Sequence, residues 1–201
     1  KRVLERRKMF LDKLCKTNSN LIQIAVHMHQ QKQILPDTYV VDVDRFLENA
    51  KVILQKANEQ NIELYYMLKQ IGRNPYLAKE LEKIGYKGAV VVDFKEAEVM
   101  MKNHLHIAHA GHLVQIPSMM INQLVAYGCD YITVYSYEKL VEVNEAAKKI
   151  GLVQKVCVRV IGENDRIYSG QTAGFYLNQL EELVQKSKDL KYIEIAGVDN
   201  F

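Results

Sequence analysis

Cysteine is scarce in this chain, and long apolar runs are missing altogether. The 201 residues contain three cysteines, Cys15, Cys129 and Cys157, which are far apart and have no CxxC neighbour. This pattern argues against a disulfide scaffold and fits a protein of the reducing cytoplasm. No apolar run approaches the ~20 residues that a membrane span needs. Asp12 and Lys13 interrupt the apolar residues near the start, so the sequence predicts no secretory signal and no membrane partner.

A strong excess of either charge is also missing, because 27 basic residues face 24 acidic ones. Residues 1–8 are rich in Lys and Arg, and this cluster is more typical of a solvated helix end than of a nucleic-acid site. Four histidines, His104, His106, His109 and His112, lie close together. On a strand, His104 and His106 share one face and His109 the other, so they do not converge on one ion. We therefore expect neither a nucleic-acid partner nor a metal site.

The periodicity of the chain changes near residue 36. Residues 1–35 predict two helices, separated at Asn18, Ser19 and Asn20, which offer an N-cap. Beyond Pro36 the pattern alternates between an apolar strand and an amphipathic helix. Pro75 is expected to open one of these helices, and Ser118 to cap another. The predicted strands cover residues 39–44, 62–69, 89–93, 107–110, 131–135, 156–161 and 192–198.

Regular alternation of helices with β-branched strands indicates parallel strands that are buried on both faces. Two architectures fit such a series, an open doubly wound sheet and a closed (β/α)₈ barrel. No strand leads into a GxGxxG turn, and the units are even in length, which favours the barrel. In a barrel the chemistry lies at the C-terminal strand ends. The candidates there are Lys69, Arg73, Asn74, Asp93, His109, His112, Tyr135, Ser136, Arg159, Asp199 and Asn200.

Two of these candidates have a specific chemical interpretation. Lys69 ends an apolar strand just before Gly72, where desolvation would lower the pKa of its amine and make it nucleophilic. A solvated lysine is the competing interpretation. Arg159 lies inside an apolar strand, so its charge needs an acidic partner or an anionic ligand. Asp93 and Ser136 have the simpler role of helix caps, whereas the long loop over residues 162–174 is of a kind that is often functional.

From about residue 36 to its end, the chain resembles the N-terminal barrel of alanine racemase and its relatives, the fold type III pyridoxal phosphate enzymes. The resemblance is carried by YVVDVDRFLENAKVI from Tyr39, by the lysine strand over residues 62–69, by YITVYSYEKLVEVNEAAKKIG from Tyr131 and by IAGVDNF from Ile195. It implies pyridoxal 5'-phosphate as the cofactor, an amino acid as the substrate, and Lys69 as the catalytic lysine that forms the Schiff base.

The resemblance also implies a set of cofactor-binding residues, with departures from the family. Arg73 stands where the family places a tyrosine near the cofactor phosphate, and it could hold phosphate by charge. Arg159 replaces a lysine, and Asn200 falls close to a histidine that stacks on the pyridine ring. His109 and His112 complete the expected cofactor-binding set with Lys69. These departures suggest a divergent, uncharacterised branch and leave the substrate open.

The same resemblance predicts that the chain is incomplete. About six barrel strands follow the initial one, whereas a closed barrel has eight. We expect a helical extension over residues 1–35 and an incomplete alanine racemase-like barrel over residues 36–201. The C-terminal β domain of the racemases, which supplies a tyrosine to the partner's active site, is absent from this sequence. A protein of ~350–400 residues that forms a homodimer is therefore expected.

Several functions share this fold and this lysine. The first is a racemase or epimerase of an amino acid, with Lys69 as the base on one side of the substrate. His109, His112 and Tyr135 are weak candidates for the second acid–base group. The alternatives are a decarboxylase or lyase of the same fold, a non-catalytic protein that binds pyridoxal phosphate for its homeostasis, and a barrel enzyme that uses no such cofactor.

Overall fold

The structure is a computed structural model that describes residues 2–162, 165, 169 and 172–200, with side chains from Phe10 onward. The chain divides into two compact units, Lys1–Val52 and Ile53–Phe201. The division into an extension over residues 1–35 and a barrel over residues 36–201 stays a prediction.

The first unit is helical. Helix α1 covers Arg2–Thr17, α2 covers Ser19–Gln30, and α3, Val43–Asn58, begins in this unit. The predicted break between the first two helices is confirmed at Asn18, whose Oδ1 accepts a hydrogen bond from Leu21 N over 3.2 Å. The Asn18 Nδ2 group donates to Asp42 Oδ2 over 2.6 Å.

The predicted strand over residues 39–44 is wrong. Residues 39–42 have no regular structure, and α3 begins at Val43. Asp42 Oδ1 accepts a hydrogen bond from Arg45 N over 3.1 Å, which is how an N-cap starts a helix. Tyr39 is 96% exposed, whereas a parallel strand would be covered on both faces. The β-branched residues here suggested a strand, but strand propensity depends on a neighbour, and no described segment pairs with this one.

The second unit is a parallel sheet covered by helices. Strands β1 to β4 are neighbours in chain order, and β4 also pairs with β5 and β6, every pair being parallel. The strands are β1 Ala89–Val91, β2 Ile107–Ala110, β3 Tyr131–Val134, β4 Gln154–Ile161, β5 Phe175–Tyr176 and β6 Ile193–Asp199, and the helices are α4 Pro75–Ile84, α5 Phe94–Lys102, α6 Ser118–Tyr127, α7 Tyr137–Ile150 and α8 Leu180–Lys186. The expected fold class is confirmed: an α/β chain with about six parallel strands that matches an incomplete TIM barrel.

The predicted lysine strand over residues 62–69 is reduced to one bridge. Tyr66 pairs with Ala89 in parallel, so this segment lies beside β1. The chain then turns into a 3₁₀ helix, Lys69–Ile71, and Leu68 O accepts hydrogen bonds from both Ile71 N and Arg73 N. Lys69 therefore follows the paired residues instead of ending a full strand, because the turn removes the later residues from the sheet.

Helix boundaries largely follow their capping signals. Asn74 Oδ1 accepts a hydrogen bond from Tyr76 N, Pro75 is in the first turn of α4, and Gly85 ends that helix at a φ of +116°. Ser118 departs from expectation. Pro117 holds the N-cap position of α6, and the Ser118 hydroxyl donates to Glu142 Oε1 over 2.9 Å instead.

The two faces of the sheet differ in composition. Side chains directed toward the helices are apolar and at most 4% exposed, and they include Ile132, Val134, Val156, Val158 and Val160. Opposite residues of parallel neighbours point to the same side, so the register of Thr133 with Cys157, and of Arg159 with Asp199, places these four on the other face. In a barrel that second face is the interior. Within the described part of the chain, no helix is long and apolar enough to cross a membrane.

Candidate functional site

A chain of polar contacts joins three strands at their C-terminal ends. The Thr133 hydroxyl on β3 donates to Asp199 Oδ2 at the end of β6 over 3.0 Å. His109 Nε2 on β2 lies 2.5 Å from Thr133 Oγ1. Thr133 and Asp199 are 0% and 8% exposed, so the contacts are shielded from water. We call His109, Thr133 and Asp199 the relay.

A second histidine reaches the relay from the loop after β2. His112 Nδ1 lies 3.2 Å from Asp199 Oδ1, and the His109 and His112 rings meet edge to face with centroids 5.8 Å apart. Gly111 permits this close return of the chain. Its φ is +84°, and a Cβ there would lie 3.1 Å from Thr133 O.

Burial and charge act on the relay in opposite directions. Burial raises the pKa of the Asp199 carboxyl, but the hydrogen bonds and positive charge of His112, with the Thr133 hydrogen bond, outweigh it, so the pKa lies below its ordinary value. Burial lowers the pKa of His109, and the Asp199 charge only partly compensates. The site therefore favours an ionised carboxylate beside a neutral imidazole.

Arg159 lies against the same aspartate. It is 2% exposed, and its Nη1 donates to the backbone oxygen of Asp199 over 3.4 Å. Gly174 packs directly against this side chain, because a Cβ at that position would come within 2.9 Å of Arg159 Cγ. Burial and the Asp199 charge raise the pKa of Tyr135, while the charge of Arg159 opposes this shift. Because this contact of Arg159 with Asp199 is to a backbone carbonyl and not to the carboxylate, the expectation that Arg159 needs an acidic partner or an anionic ligand stays a prediction.

Asn200 ties the end of β6 to the loop after β4. Its Nδ2 donates to Val160 O over 3.0 Å and to Asp165 Oδ2 over 2.7 Å. The same carboxylate accepts a hydrogen bond from Gly162 N over 2.7 Å. The backbone hydrogen bond from Gly162 is the main reason that the pKa of Asp165 is lowered. The side chain of Asn200 is thus held by two acceptors next to the relay.

Lys69 and Arg73 lie at the end of the segment beside β1. The sequence predicted that Lys69 would have a desolvated amine. Lys69 is instead exposed, so the described residues do not remove water from its amine. Arg73 Nη2 binds Asp93 Oδ2 over 2.8 Å, with side chains 33% and 23% exposed. Asp93 Oδ1 also accepts from Glu96 N, which confirms its role as the cap of α5. The buried Nε of Arg73 has no hydrogen-bond acceptor among the residues that the structure describes.

Sequence reasoning missed two residues of these strand ends. Thr133 sits in an apolar strand, where its hydroxyl was the only signal. Glu96 is 1% exposed, accepts a hydrogen bond from Val92 N over 2.8 Å, and has its pKa raised by burial. Its position three residues after the cap Asp93 is the spacing of a capping box, and this signal could have identified it.

The C-terminal strand ends thus gather His109, His112 and Arg159 around Asp199, with Asn200 adjacent. Lys69 and Arg73 lie at the end of the segment that pairs with β1. A cavity of about 380 Å³ opens at the opposite end, where Tyr65, Asp130, Tyr131, Gln154 and Lys155 contribute to its walls. No group of three potential metal ligands is present among the residues with described positions.

A parallel sheet covered by helices, with about six strands, defines the class of this protein as an α/β fold that matches an incomplete TIM barrel. Within it the chain belongs to the family of the alanine racemase N-terminal domain, whose family model matches residues 41–200. This family contains fold type III pyridoxal phosphate enzymes, so the resemblance stated from the sequence is confirmed.

Particular relatives extend this result. The chain is 45% identical over 193 residues to the uncharacterized protein YhfX of Escherichia coli K12, a match that covers 96% of this chain and 50% of that protein. The chain therefore spans about half the length of this curated relative. Similarity to an uncharacterised protein fits the expected divergent branch of the family.

Solved structures show the same fold at low identity. Diaminopimelate decarboxylase of Helicobacter pylori superposes with a TM-score of 0.67 and 16% identity, covering 87% of this chain and 46% of that chain. D-threonine aldolase of Filomicrobium marinum gives 0.62 and 18%, covering 79% and 42%. Alanine racemase of Clostridium difficile 630 gives 0.58 and 22%, covering 78% and 41%. These likenesses establish the fold alone.

Proposed function

We propose that the protein is a pyridoxal phosphate-dependent enzyme that acts on an amino acid, with Lys69 as its Schiff-base residue and a racemase- or epimerase-like reaction. One observation carries the proposal. In a chain of this family, an exposed lysine stands at the C-terminal end of the first segment of the barrel sheet. That is the end at which barrels of this kind carry their chemistry.

The side chains at these strand ends fit such a cofactor. The Lys69 amine is accessible to an aldehyde, and the buried Nε of Arg73 is a hydrogen-bond donor in need of an acceptor. Arg73 would contact an anionic group, while His109, His112, Arg159 and Asn200 would line the remaining strand ends. When bound, pyridoxal phosphate supplies an electron sink for the charge left on a substrate carbon when one of its bonds breaks.

The residues of this chain then have defined tasks. Lys69 Nζ holds or releases a proton on one side of the substrate, and it must be neutral to act as a base. The Arg73–Asp93 ion pair fixes the turn that carries Lys69, because Arg73 N also bonds to Leu68 O. Arg159 adds a fixed positive charge beside Asp199, which suits an anionic ligand at this edge.

The native protein is further proposed to be a cytoplasmic homodimer, in which the partner contributes to the active site. This part of the proposal is supported by the family membership alone. Light scattering coupled to size-exclusion chromatography of the full-length protein would test it, and a monomer at micromolar concentration would contradict it.

Covalent labelling tests the assignment of Lys69. The full-length protein is incubated with pyridoxal phosphate, its visible spectrum is recorded, and borohydride is added to convert the linkage into a stable amine. Mass spectrometry then locates the modified peptide. Lys79 is an exposed lysine on α4 and gives the matched control. We expect label at position 69 in the wild type and in Lys79→Ala, and none there in Lys69→Ala. Label spread over surface lysines would contradict the proposal.

A panel of amino acids in D₂O separates the reaction types. Deuterium at Cα together with loss of optical purity supports a racemase or epimerase. Release of carbon dioxide supports the decarboxylase alternative, and cleavage of the side chain supports a lyase. Both alternatives are tested because a decarboxylase and an aldolase are among the structural relatives. A labelled protein without any exchange supports a non-catalytic binding protein.

A further inference from the structure

The relay fixes where the proton of His109 resides. The ionised carboxylate of Asp199 can only accept hydrogen bonds, and Thr133 has one hydroxyl proton to give. That proton is directed to Asp199 Oδ2. The Thr133 oxygen is then an acceptor toward His109 Nε2, which lies 2.5 Å away. His109 must therefore carry its proton on Nε2, since the hydrogen bond of one ring nitrogen determines the tautomer.

The other ring nitrogen is left as a base. Loss of water around the ring lowers the pKa of His109, which favours the neutral imidazole with a lone pair on Nδ1. Among the described residues, no hydrogen bond engages Nδ1. The ring is only half-buried, unlike its strand neighbours Ala108 and Ala110, which are at most 1% exposed. A small ligand at the C-terminal strand ends could therefore approach this side chain.

Protonation of Nδ1 would be stabilised by the same contacts. The resulting imidazolium keeps its Nε2–H bond to Thr133, whose hydroxyl transmits the negative charge of Asp199. His112 opposes this because its own ring, 5.8 Å away, shares the aspartate. Arg159 adds a second positive charge near Asp199. The imidazolium is thus tolerated but not strongly favoured, which suits a group that both takes up and returns a proton.

We propose that His109 is an acid–base residue of this site, exchanging the substrate's Cα proton at Nδ1, with Thr133 and Asp199 as positioning residues. The inference rests on the proposed function, and it deepens it by assigning a second proton-transfer group to this chain. The proton leaves Cα, its electron pair stays with the substrate, and the imidazole becomes imidazolium. Return of the proton to Cα restores the neutral ring.

The tautomer can be observed without any substrate. Full-length protein labelled with ¹⁵N in its histidine rings gives separate NMR signals for the two ring nitrogens, and His109→Gln identifies those of His109. We expect a neutral ring with its proton on Nε2. Thr133→Val removes the acceptor and should yield a mixture of tautomers, whereas Thr133→Ser retains the hydroxyl and should restore the single form. A ring protonated on Nδ1, or no change in Thr133→Val, would overturn the proposal.

Proton exchange tests the role itself. His109→Gln should slow deuterium incorporation at Cα by about 100-fold or more, which is the usual contribution of an acid–base group. Borohydride labelling of Lys69 should continue in this variant. His106→Gln alters a histidine at the opposite end of β2 and should leave the exchange rate unchanged. The inference is overturned if His109→Gln exchanges the Cα proton at the wild-type rate, or if Lys69 is no longer labelled in this variant.

The two proposals fail in different ways. Absence of label from wild-type Lys69 contradicts the proposed function and removes this inference with it. Label with normal exchange in His109→Gln contradicts the inference alone. Label without exchange in the wild type leaves His109 no proton to move, and this outcome overturns it as well.

Discussion

The sheet carries a histidine–aspartate pair at each of its ends, and the two pairs differ in burial. At the N-terminal end, His106 Nε2 lies 2.7 Å from Asp130 Oδ2, and both side chains are 43% exposed. At the C-terminal end, His112 Nδ1 lies 3.2 Å from Asp199 Oδ1, with exposures of 24% and 9%. The pair with the longer nitrogen–oxygen distance, His112 and Asp199, is therefore the pair that is shielded from water.

This difference shows why distance alone is a poor guide to importance. An exposed ion pair contributes about 0–1 kcal/mol, because water and ions screen it. A buried carboxylate has lost its hydration and depends on every protein contact that replaces it. Asp199 has replaced that water with His112 and Thr133, whereas Asp130 keeps much of its hydration. Chemistry at the C-terminal end therefore has fixed, dry polar groups to use.

The largest contrast is expected when each aspartate is removed. Asp199→Ala should lower the free energy of unfolding by about 3–5 kcal/mol, because it leaves buried donors without an acceptor. Asp130→Ala should cost less than about 1 kcal/mol. Urea denaturation of the full-length variants measures both. Equal losses would show that burial does not distinguish the two ends.

A smaller loss is expected from the centre of the relay. Thr133→Val keeps the shape of the side chain but removes a donor from buried Asp199, at a cost of about 1–3 kcal/mol. Thr133→Ser retains the hydroxyl and should recover most of this energy. The same denaturation experiment applies. A valine variant as stable as the wild type would mean that the 3.0 Å contact contributes nothing.

Acid should affect the buried pair in a defined direction. The folded pKa of Asp199 lies below its ordinary value of 3.8, so its stabilisation is present above pH 3.8 and is lost as the pH falls through the folded value. Asp199→Asn should therefore flatten the loss of stability below pH 3.8. Thermal melting over pH 2–5 measures this effect, and an unchanged acid limb in the variant would contradict it.

The smallest expected effect concerns His109. Its folded pKa lies below the ordinary 6.5, so the unfolded state binds more protons between the two values. Stability should therefore rise with pH through the window that ends at 6.5. His109→Gln should reduce this slope, while the difference between the two proteins should stay constant above pH 7.5. A parallel pH dependence throughout would show that burial does not affect this ring.

The sequence by itself determined the order of the elements and most of their ends. The caps Asp93 and Ser136 were expected and are present, the latter accepting a hydrogen bond from Lys139 N. These features are local, because a cap involves residues three positions apart. The alternation of strands and helices likewise predicted the parallel sheet, and the motifs predicted the family. Where a strand depended on a distant partner, as over residues 39–44, local propensity gave the wrong answer.

Only the tertiary structure decided which polar residues meet. Thr133 and Asp199 are 66 positions apart, and His109 is 24 positions from Thr133. Their contact depends on the register across four strands, β2, β3, β4 and β6, and that register results from packing of the whole sheet against its helices. The exposed position of Lys69 was settled in the same way, by the turn that follows Leu68. A sequence specifies which side chains can donate or accept, whereas the folded chain determines which of them lie within reach and out of water.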